Sequence, residues 1–206
     1  MAVAAVTSAP VGPLNSSQQD EVTAAHLRGK KVRKAAGVAA FNGWVTAIFA
    51  VVSIPFAFFS VSGFLVALGL SIVAYNEFRG RRRLLSFDAS GAPLLGWNQV
   101  GFLGIIILYC IWMLFTALTG ESPIAAEMHA KPELAAVMGE PEQFDQLYRL
   151  VVVAVYGSVI VLSVIFQGLN AVYYFTRRRH VEDYVLKTPD WVLELQRLTS
   201  EAGASR

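Results

Sequence analysis

Charged residues are scarce in this sequence. Asp, Glu, Lys and Arg make up 16% of the 206 residues, whereas a soluble domain usually carries about 25%. No charge occurs in residues 35–76, 89–120 or 150–176. Each of these runs exceeds the roughly 18 residues that mark a candidate membrane span. The sequence therefore predicts an all-α polytopic membrane protein and excludes a water-soluble globule.

Cysteine and histidine are also rare. Cys110 is the only cysteine, which excludes an intrachain disulfide and, in mid span, indicates an inert buried thiol. His26, His129 and His180 stand at no spacing that is typical of a zinc site. The sequence also lacks the nucleophile-elbow motif of hydrolases, phosphate-binding glycine loops and paired acids. We therefore predict no metal, no cofactor, no catalytic residues and no enzymatic activity.

The first uncharged run is too long for one crossing. As a single helix its 42 residues, 35–76, would measure about 63 Å, twice a hydrocarbon core of about 30 Å. Pro55 stands at its centre and lacks a backbone donor, so we predict a short outer hairpin turn there. A turn at Ser60 to Gly63 would leave the second span too short. The predicted spans are 35–54 and 56–77.

Two further spans follow, at 98–119 and 149–176, which gives four in all within a domain of residues 35–176. The loop between them, 120–148, has proline and glycine spaced for a short helix over 132–139. A second start at Pro141 leads towards the fourth span. That span is long enough to tilt or to project beyond the bilayer.

Basic residues cluster before span one, after span two and after span four. Since loops rich in Lys and Arg stay in the cytoplasm, an even number of crossings places both termini there. Residues 1–34 are predicted to be a largely disordered basic segment with a helix from Ser17 onward. The alanine-rich composition favours a bacterial inner membrane.

The arginine clusters are predicted to fix topology and not to bind nucleic acid. The alternative is contact with anionic lipids of the bilayer. The candidate lipid contacts are Arg79, Arg81, Arg82, Arg83, Arg177, Arg178 and Arg179.

Residues 177–206 form a predicted cytoplasmic tail. Thr188 and Pro189 are typical of a helix N-cap and first position. Trp191, Val192 and Leu195 then fall on one face of an amphipathic helix. This face would lie on the membrane, or would dock against the inner loop or a soluble partner.

Small residues recur at four-residue steps in the first two spans. Such ladders let helix backbones approach closely. The two ladders would face each other within the hairpin, would mate with another subunit, or are coincidental. Their members are Ala39, Gly43, Ala47, Gly63, Ala67 and Ser71.

Polar side chains recur near the cytoplasmic ends of the spans. They would form interhelical hydrogen bonds or a vestibule for a solute or lipid headgroup. Glu77, with Arg81 four residues on, is predicted to form an ion pair at the helix end. The polar stripe comprises Gln167, Asn170, Tyr174, Asn76, Asn98 and Gln99.

The absence of catalytic or coupling groups favours a structural, scaffold or accessory role in a membrane assembly, together with other membrane subunits or a second copy. The alternative is an oligomeric channel or facilitator for a small solute, lined by Gln167 and Asn170. A third class, an intramembrane enzyme acting on lipid, would have to rest on Glu77, Asp88 and the arginines.

Overall fold

The computed structural model describes residues 14–131, 133 and 140–204. Those residues contain helices and no strand. Four helices are long and apolar enough to span a membrane, which confirms the predicted all-helical class. In chain order the helices are α1 (Ser16–Ala57), α2 (Val61–Leu85), α3 (Gly91–Thr119), α4 (Pro123–Ala130), α5 (Pro141–Lys187) and α6 (Asp190–Ala204).

Large apolar side chains cover the outside of the four long helices. Phe41 of α1 is 69% exposed and Leu108 of α3 is 70% exposed. Water-soluble monomers rarely expose contiguous apolar patches of large area. The exposed faces therefore have the character of lipid-facing surfaces.

The turn between α1 and α2 lies at Phe58 to Ser60, so the predicted turn at Pro55 is wrong. Pro55 sits near the end of α1, which continues to Ala57. The Ser60 hydroxyl caps α2 by accepting a hydrogen bond from the Gly63 N–H at 3.0 Å. The second span is not too short, because α2 runs through its arginines for 25 residues.

The basic N-terminal segment is helical from Ser16, one residue before the predicted start at Ser17, and this helix continues into the first uncharged run. Asn15, not Ser17, is the cap. Its Oδ1 accepts from the Gln18 N–H at 2.8 Å, while the Gln18 Oε1 accepts from the Asn15 N–H at 3.0 Å. Packing stabilises the segment further, since Ala25 and Val32 are fully buried. Residues 1–13 lie outside the described residues.

Both α3 and α5 extend beyond the predicted spans. Helix α5 starts at Pro141, as predicted, and its 47 residues carry the arginines that follow Thr176. The loop predicted over residues 120–148 contains α4, capped by the Ser122 hydroxyl, which accepts from the Ala125 N–H at 3.1 Å. The predicted helix over 132–139 falls outside the described residues, apart from Glu133.

The core lies at the end of the helices that carries Arg33, Arg81 and Arg177, which we call the basic end. Helix α1 packs on α2, and α3 packs on α5. Smaller contacts of α2 with α3 and of α1 with α5 join these two helix pairs. The main buried cluster consists of Val32, Ala35, Ala36, Ala39, Leu84, Ala92, Leu95, Tyr174 and Val181.

The predicted N-cap at Thr188 is wrong. The Leu193 N–H donates to the Pro189 carbonyl at 3.2 Å. The helical hydrogen bonds of α6 therefore start at the Pro189 carbonyl, one residue after the Thr188 carbonyl that the predicted cap requires. The Thr188 hydroxyl is buried and has no hydrogen-bond partner among the described residues.

Helix α6 docks on the chain's own α1 and α5. The Trp191 Nε1 donates to the Glu21 Oε2 at 2.9 Å, and the Tyr184 hydroxyl donates to the Gln196 Oε1 at 2.6 Å. Val192 is fully buried in this contact. The apolar face predicted for this helix is thus partly used inside the chain.

Candidate functional site

A carboxyl group is buried where the four long helices meet. Glu77 of α2 is 0% exposed, which is unusual for an acid. Its Oε1 accepts hydrogen bonds from the Asn98 Nδ2 at 2.9 Å and from the Gln99 Nε2 at 2.6 Å. Its Oε2 accepts from the Tyr174 hydroxyl at 3.4 Å. Amides from α3 and a phenol from α5 therefore hold the carboxyl of α2.

The first helix joins the same network through Asn42. The Asn42 Nδ2 donates to the Tyr174 hydroxyl at 3.2 Å. The Asn98 Nδ2 also donates to the Val73 carbonyl at 3.1 Å, one turn before Glu77 on α2. We call Asn42, Glu77, Asn98, Gln99 and Tyr174 the Glu77 cluster. Each of the four long helices contributes at least one of its side chains.

Glycines allow the helices to approach at this level. A Cβ on Gly43 of α1 would lie 3.2 Å from the Glu77 Cβ. A Cβ on Gly96 of α3 would lie 2.6 Å from the Phe175 ring on α5. Such close backbone approach brings short amide side chains within reach of the carboxyl.

The predicted polar stripe divides into two groups. Tyr174, Asn98 and Gln99 enter the Glu77 cluster. Asn76, Gln167 and Asn170 are half-buried and lie outside it. In the part of the chain that the structure describes, no hydrogen bond joins the Gln167 or Asn170 amide to another residue.

The predicted ion pair between Glu77 and Arg81 is wrong. Within the described residues, the Glu77 carboxyl has no salt bridge to Arg81, and its hydrogen bonds come from neutral donors on α3 and α5. The physical reason is the face of α2 on which Glu77 lies. Glu77 faces the interior of the bundle, whereas the helix-end pair requires a carboxyl that is accessible beside its own helix.

The predicted small-residue ladder is only partly inside the hairpin. Ala39, Gly43 and Ala67 are buried, Ala47 and Gly63 are half-buried, and Ser71 is exposed. A Cβ on Gly63 would strike the Phe56 carbonyl, so this glycine serves the turn. The Ser71 hydroxyl bonds within α2 to the Ala67 carbonyl at 2.7 Å. A second subunit as the mate of this ladder stays a prediction.

The arginines proposed as lipid contacts differ in their partners. The Arg83 Nη1 donates to the Ser90 hydroxyl at 3.1 Å, and the Arg178 Nε pairs with the Glu182 Oε1 at 2.7 Å. The Arg177 guanidinium lies 4.3 Å from the centre of the Tyr173 ring. Arg79, Arg82 and Arg179 are exposed. Lipid contact by these arginines remains a prediction.

The α2–α3 turn holds an ionised acid beside the cluster of arginines. The Asp88 Oδ2 accepts from the Ser90 hydroxyl at 2.7 Å, and its Oδ1 accepts from the Ser90 N–H at 2.8 Å. These hydrogen bonds, with Arg83 nearby, hold the pKa of the Asp88 carboxyl below its usual range.

Phe87, at φ 54°, stacks on Tyr184 with ring centres 3.9 Å apart.

Sequence reasoning did not single out Asn42 or the interior position of Glu77. A usable signal was present, because Asn42 is a lone amide in the first span and Glu77 precedes Arg79 at the depth of Asn98 and Gln99. The described residues contain no group of three His, Cys, Asp or Glu side chains that could hold a metal ion. Chemically, the Glu77 cluster is a set of hydrogen bonds that ties four helices together at one level.

Comparison of the chain with protein-family models, with curated proteins and with solved structures gives no match. The fold and the cluster thus define the chain only as an all-helical protein with four helices of membrane-spanning length and composition.

Proposed function

We propose that this chain is a multi-pass integral membrane protein that serves as a scaffold or accessory subunit in a larger membrane assembly. In this proposal the basic end and both termini are cytoplasmic, in a bacterial inner membrane. The clustering of Val32, Leu84, Ala92 and Val181 supports it, because the flanking basic segments of α1, α2 and α5 then share one end.

The observation that carries the proposal is the pair of amides on α5, Gln167 and Asn170, which have no hydrogen-bond partner among the described residues. Gln167 lies ten residues before Arg177 on the same helix, hence about 15 Å deeper. Asn170 follows three residues later on the same face. An amide at that depth is costly unless it is hydrogen-bonded. A helix of another subunit, carrying polar side chains, would satisfy both.

The Glu77 cluster supports a scaffold role in a second way. Its side chains are hydrogen-bonded within the cluster, mostly to the buried Glu77 carboxyl, and such networks fix helix packing. A fixed bundle presents Gln167 and Asn170 at a constant place on its surface. That property suits a subunit whose task is to bind neighbouring helices.

The same two amides also favour the second candidate, an oligomeric channel or facilitator. Copies of the chain that meet along this face of α5 would line their axis with amides, which can select solutes without charge. Conversion of Gln167 and Asn170 to Leu should then abolish flux into liposomes while expression persists. Retained flux would exclude this pore lining.

Cysteine crosslinking in the native membrane separates the two candidates. In a C110A background, N170C places a thiol on the amide face, and I165C places one on the opposite side of α5, since residues turn by about 100° each. We expect a bismaleimide to join N170C, and not I165C, to a protein of different mass. A dimer of the chain would instead favour the channel. No product from N170C would contradict both assembly proposals.

A further inference from the structure

A basic groove lies between α1 and α5 beyond the end of the uncharged spans. Its polar and charged lining comprises Arg28 and Lys31 of α1 with His180, Asp183 and Lys187 of α5, and it encloses about 220 Å³. We infer that this groove binds the phosphate headgroup of an anionic phospholipid. The inference rests on the proposed membrane function and adds a specific ligand class and site to it.

The charge balance of the groove is positive. The Lys187 Nζ lies 3.2 Å from the Asp183 Oδ1, so this lysine neutralises the acid of the groove. Arg28 and Lys31 remain, and neither forms a salt bridge within the described residues. The Arg28 Nε is buried and has no hydrogen-bond partner in that same part of the chain. Since no hydrogen bond or salt bridge occupies the rest of the Arg28 guanidinium among the described residues, its outer N–H groups are suited to a phosphate, which accepts two parallel hydrogen bonds.

The end of the groove that is nearest the uncharged runs lies at the depth of lipid headgroups. Lys31 precedes the start of the first uncharged run, at Ala35, by four residues, and His180 follows the end of the last run, at Thr176, by four. Four helical residues measure about 6 Å, and the headgroup region is about 5 to 7 Å thick on each side of the bilayer. A phosphate held between Lys31 and His180 is therefore level with those of the surrounding lipids.

A second, mainly apolar cleft on α5 shares His180 with the groove and reaches Val172 within the last uncharged run. It encloses about 580 Å³ and is lined by Val172, Phe175, Thr176, Arg179 and His180. His180 lines the groove as well. Val172, Thr176 and His180 stand at four-residue steps, so they share one face of α5. An acyl chain along this cleft with its phosphate in the groove occupies both, which a soluble anion cannot do.

The inference is tested by native mass spectrometry of the full chain from detergent micelles that contain phosphatidylcholine and phosphatidylglycerol. We expect the wild type to retain phosphatidylglycerol. R28Q/K31Q should bind it less tightly, by about fivefold for each cation removed. The control K30Q/K34Q removes the same charge from exposed positions of α1 that do not line the groove. Equal loss in both variants, or no loss in either, would overturn the inference. K31Q alone, at an exposed position, provides the same test if the double variant does not fold.

A second arm separates a lipid from a soluble phosphate. V172W should fill the apolar cleft and release phosphatidylglycerol, whereas V161W, at another exposed position of α5, should not. Inorganic phosphate at millimolar concentration should leave the bound lipid in place. Displacement by phosphate with no effect of V172W would show a soluble anion and overturn the lipid site. Carbonate extraction of cell membranes tests membrane insertion separately, so failure of that assay would count against the proposed function itself.

Discussion

The side-chain amide of Gln99 donates a hydrogen bond of 2.6 Å to the Glu77 carboxylate, where both residues are buried. This bond joins α3 to α2. Because the same carboxyl also accepts from Asn98 and Tyr174, its removal would leave donors on two helices without an acceptor. The Glu77 cluster therefore depends on one acid more than on any of its amides.

Glu77→Leu should destabilise the bundle. Gln99 and Tyr174 would lose their acceptor, and each unsatisfied buried group costs about 1–3 kcal/mol. Glu77→Gln keeps an oxygen for Asn98 and Gln99 and should cost less. Thermal unfolding of both variants in mild detergent, followed by circular dichroism, measures the difference. An E77L protein as stable as the wild type would contradict the structural role of the cluster.

Asn42 and Tyr174 should be energetically coupled. Y174F and N42L each remove one partner of the 3.2 Å hydrogen bond between α1 and α5. A double-mutant cycle on the free energy of unfolding should give a coupling of about 0.6 kcal/mol, typical of interhelical hydrogen bonds in membranes. Strict additivity of the two substitutions would show that the first helix is not tied to the cluster.

Gly43→Leu should lower the melting temperature, because its Cβ would lie 3.2 Å from side-chain atoms of both Glu77 and Phe78. Gly37 is a matched control on the same helix, since a Cβ there meets no atom within 4 Å. We expect G37L to match or exceed the wild type in stability, as leucine is the better helix former. Equal effects of the two substitutions in the same thermal assay would refute close packing at Gly43.

Asp88 should make stability depend on acid pH. Its folded pKa is depressed by the hydrogen bonds from Ser90, so its contribution is present above the ordinary pKa of 3.8 and is lost as pH falls below it. The melting temperature of D88N should fall less than that of the wild type between pH 6 and pH 3. E194Q, at an exposed acid of α6, serves as the control. Identical pH profiles for wild type and D88N would rule out this contribution.

Uncharged runs predicted the four long helices correctly, because lipid-exposed helices need uninterrupted apolar surface. The bounds of the uncharged runs did not predict the helix ends, because the helices continue through arginines such as Arg79 and Arg177. The turn between α1 and α2 was misplaced because a proline near a helix end does not fix where the helix stops. Pro55 removes one backbone donor near a helix end, whereas the Ser60 cap and the close approach at Gly63 specify where α2 begins.

The candidate site was predicted in part. The amides Asn98 and Gln99 and the phenol of Tyr174 were expected to seek partners, since polar groups in spans are costly. Glu77 was predicted to form an ion pair with Arg81, because sequence spacing indicates which residues are neighbours along one helix. It does not indicate which face of that helix packs inward. Asn42 could not be placed without the three-dimensional contact between α1 and α5.

The most direct test of the assembly proposal is native mass spectrometry of the tagged chain, purified in mild detergent from its own host. We expect the wild type to carry a stoichiometric foreign membrane subunit and Q167L/N170L to lose it while remaining folded. A wild-type chain that is monomeric and free of any partner, with a double variant of the same subunit composition, would contradict the assembly proposal.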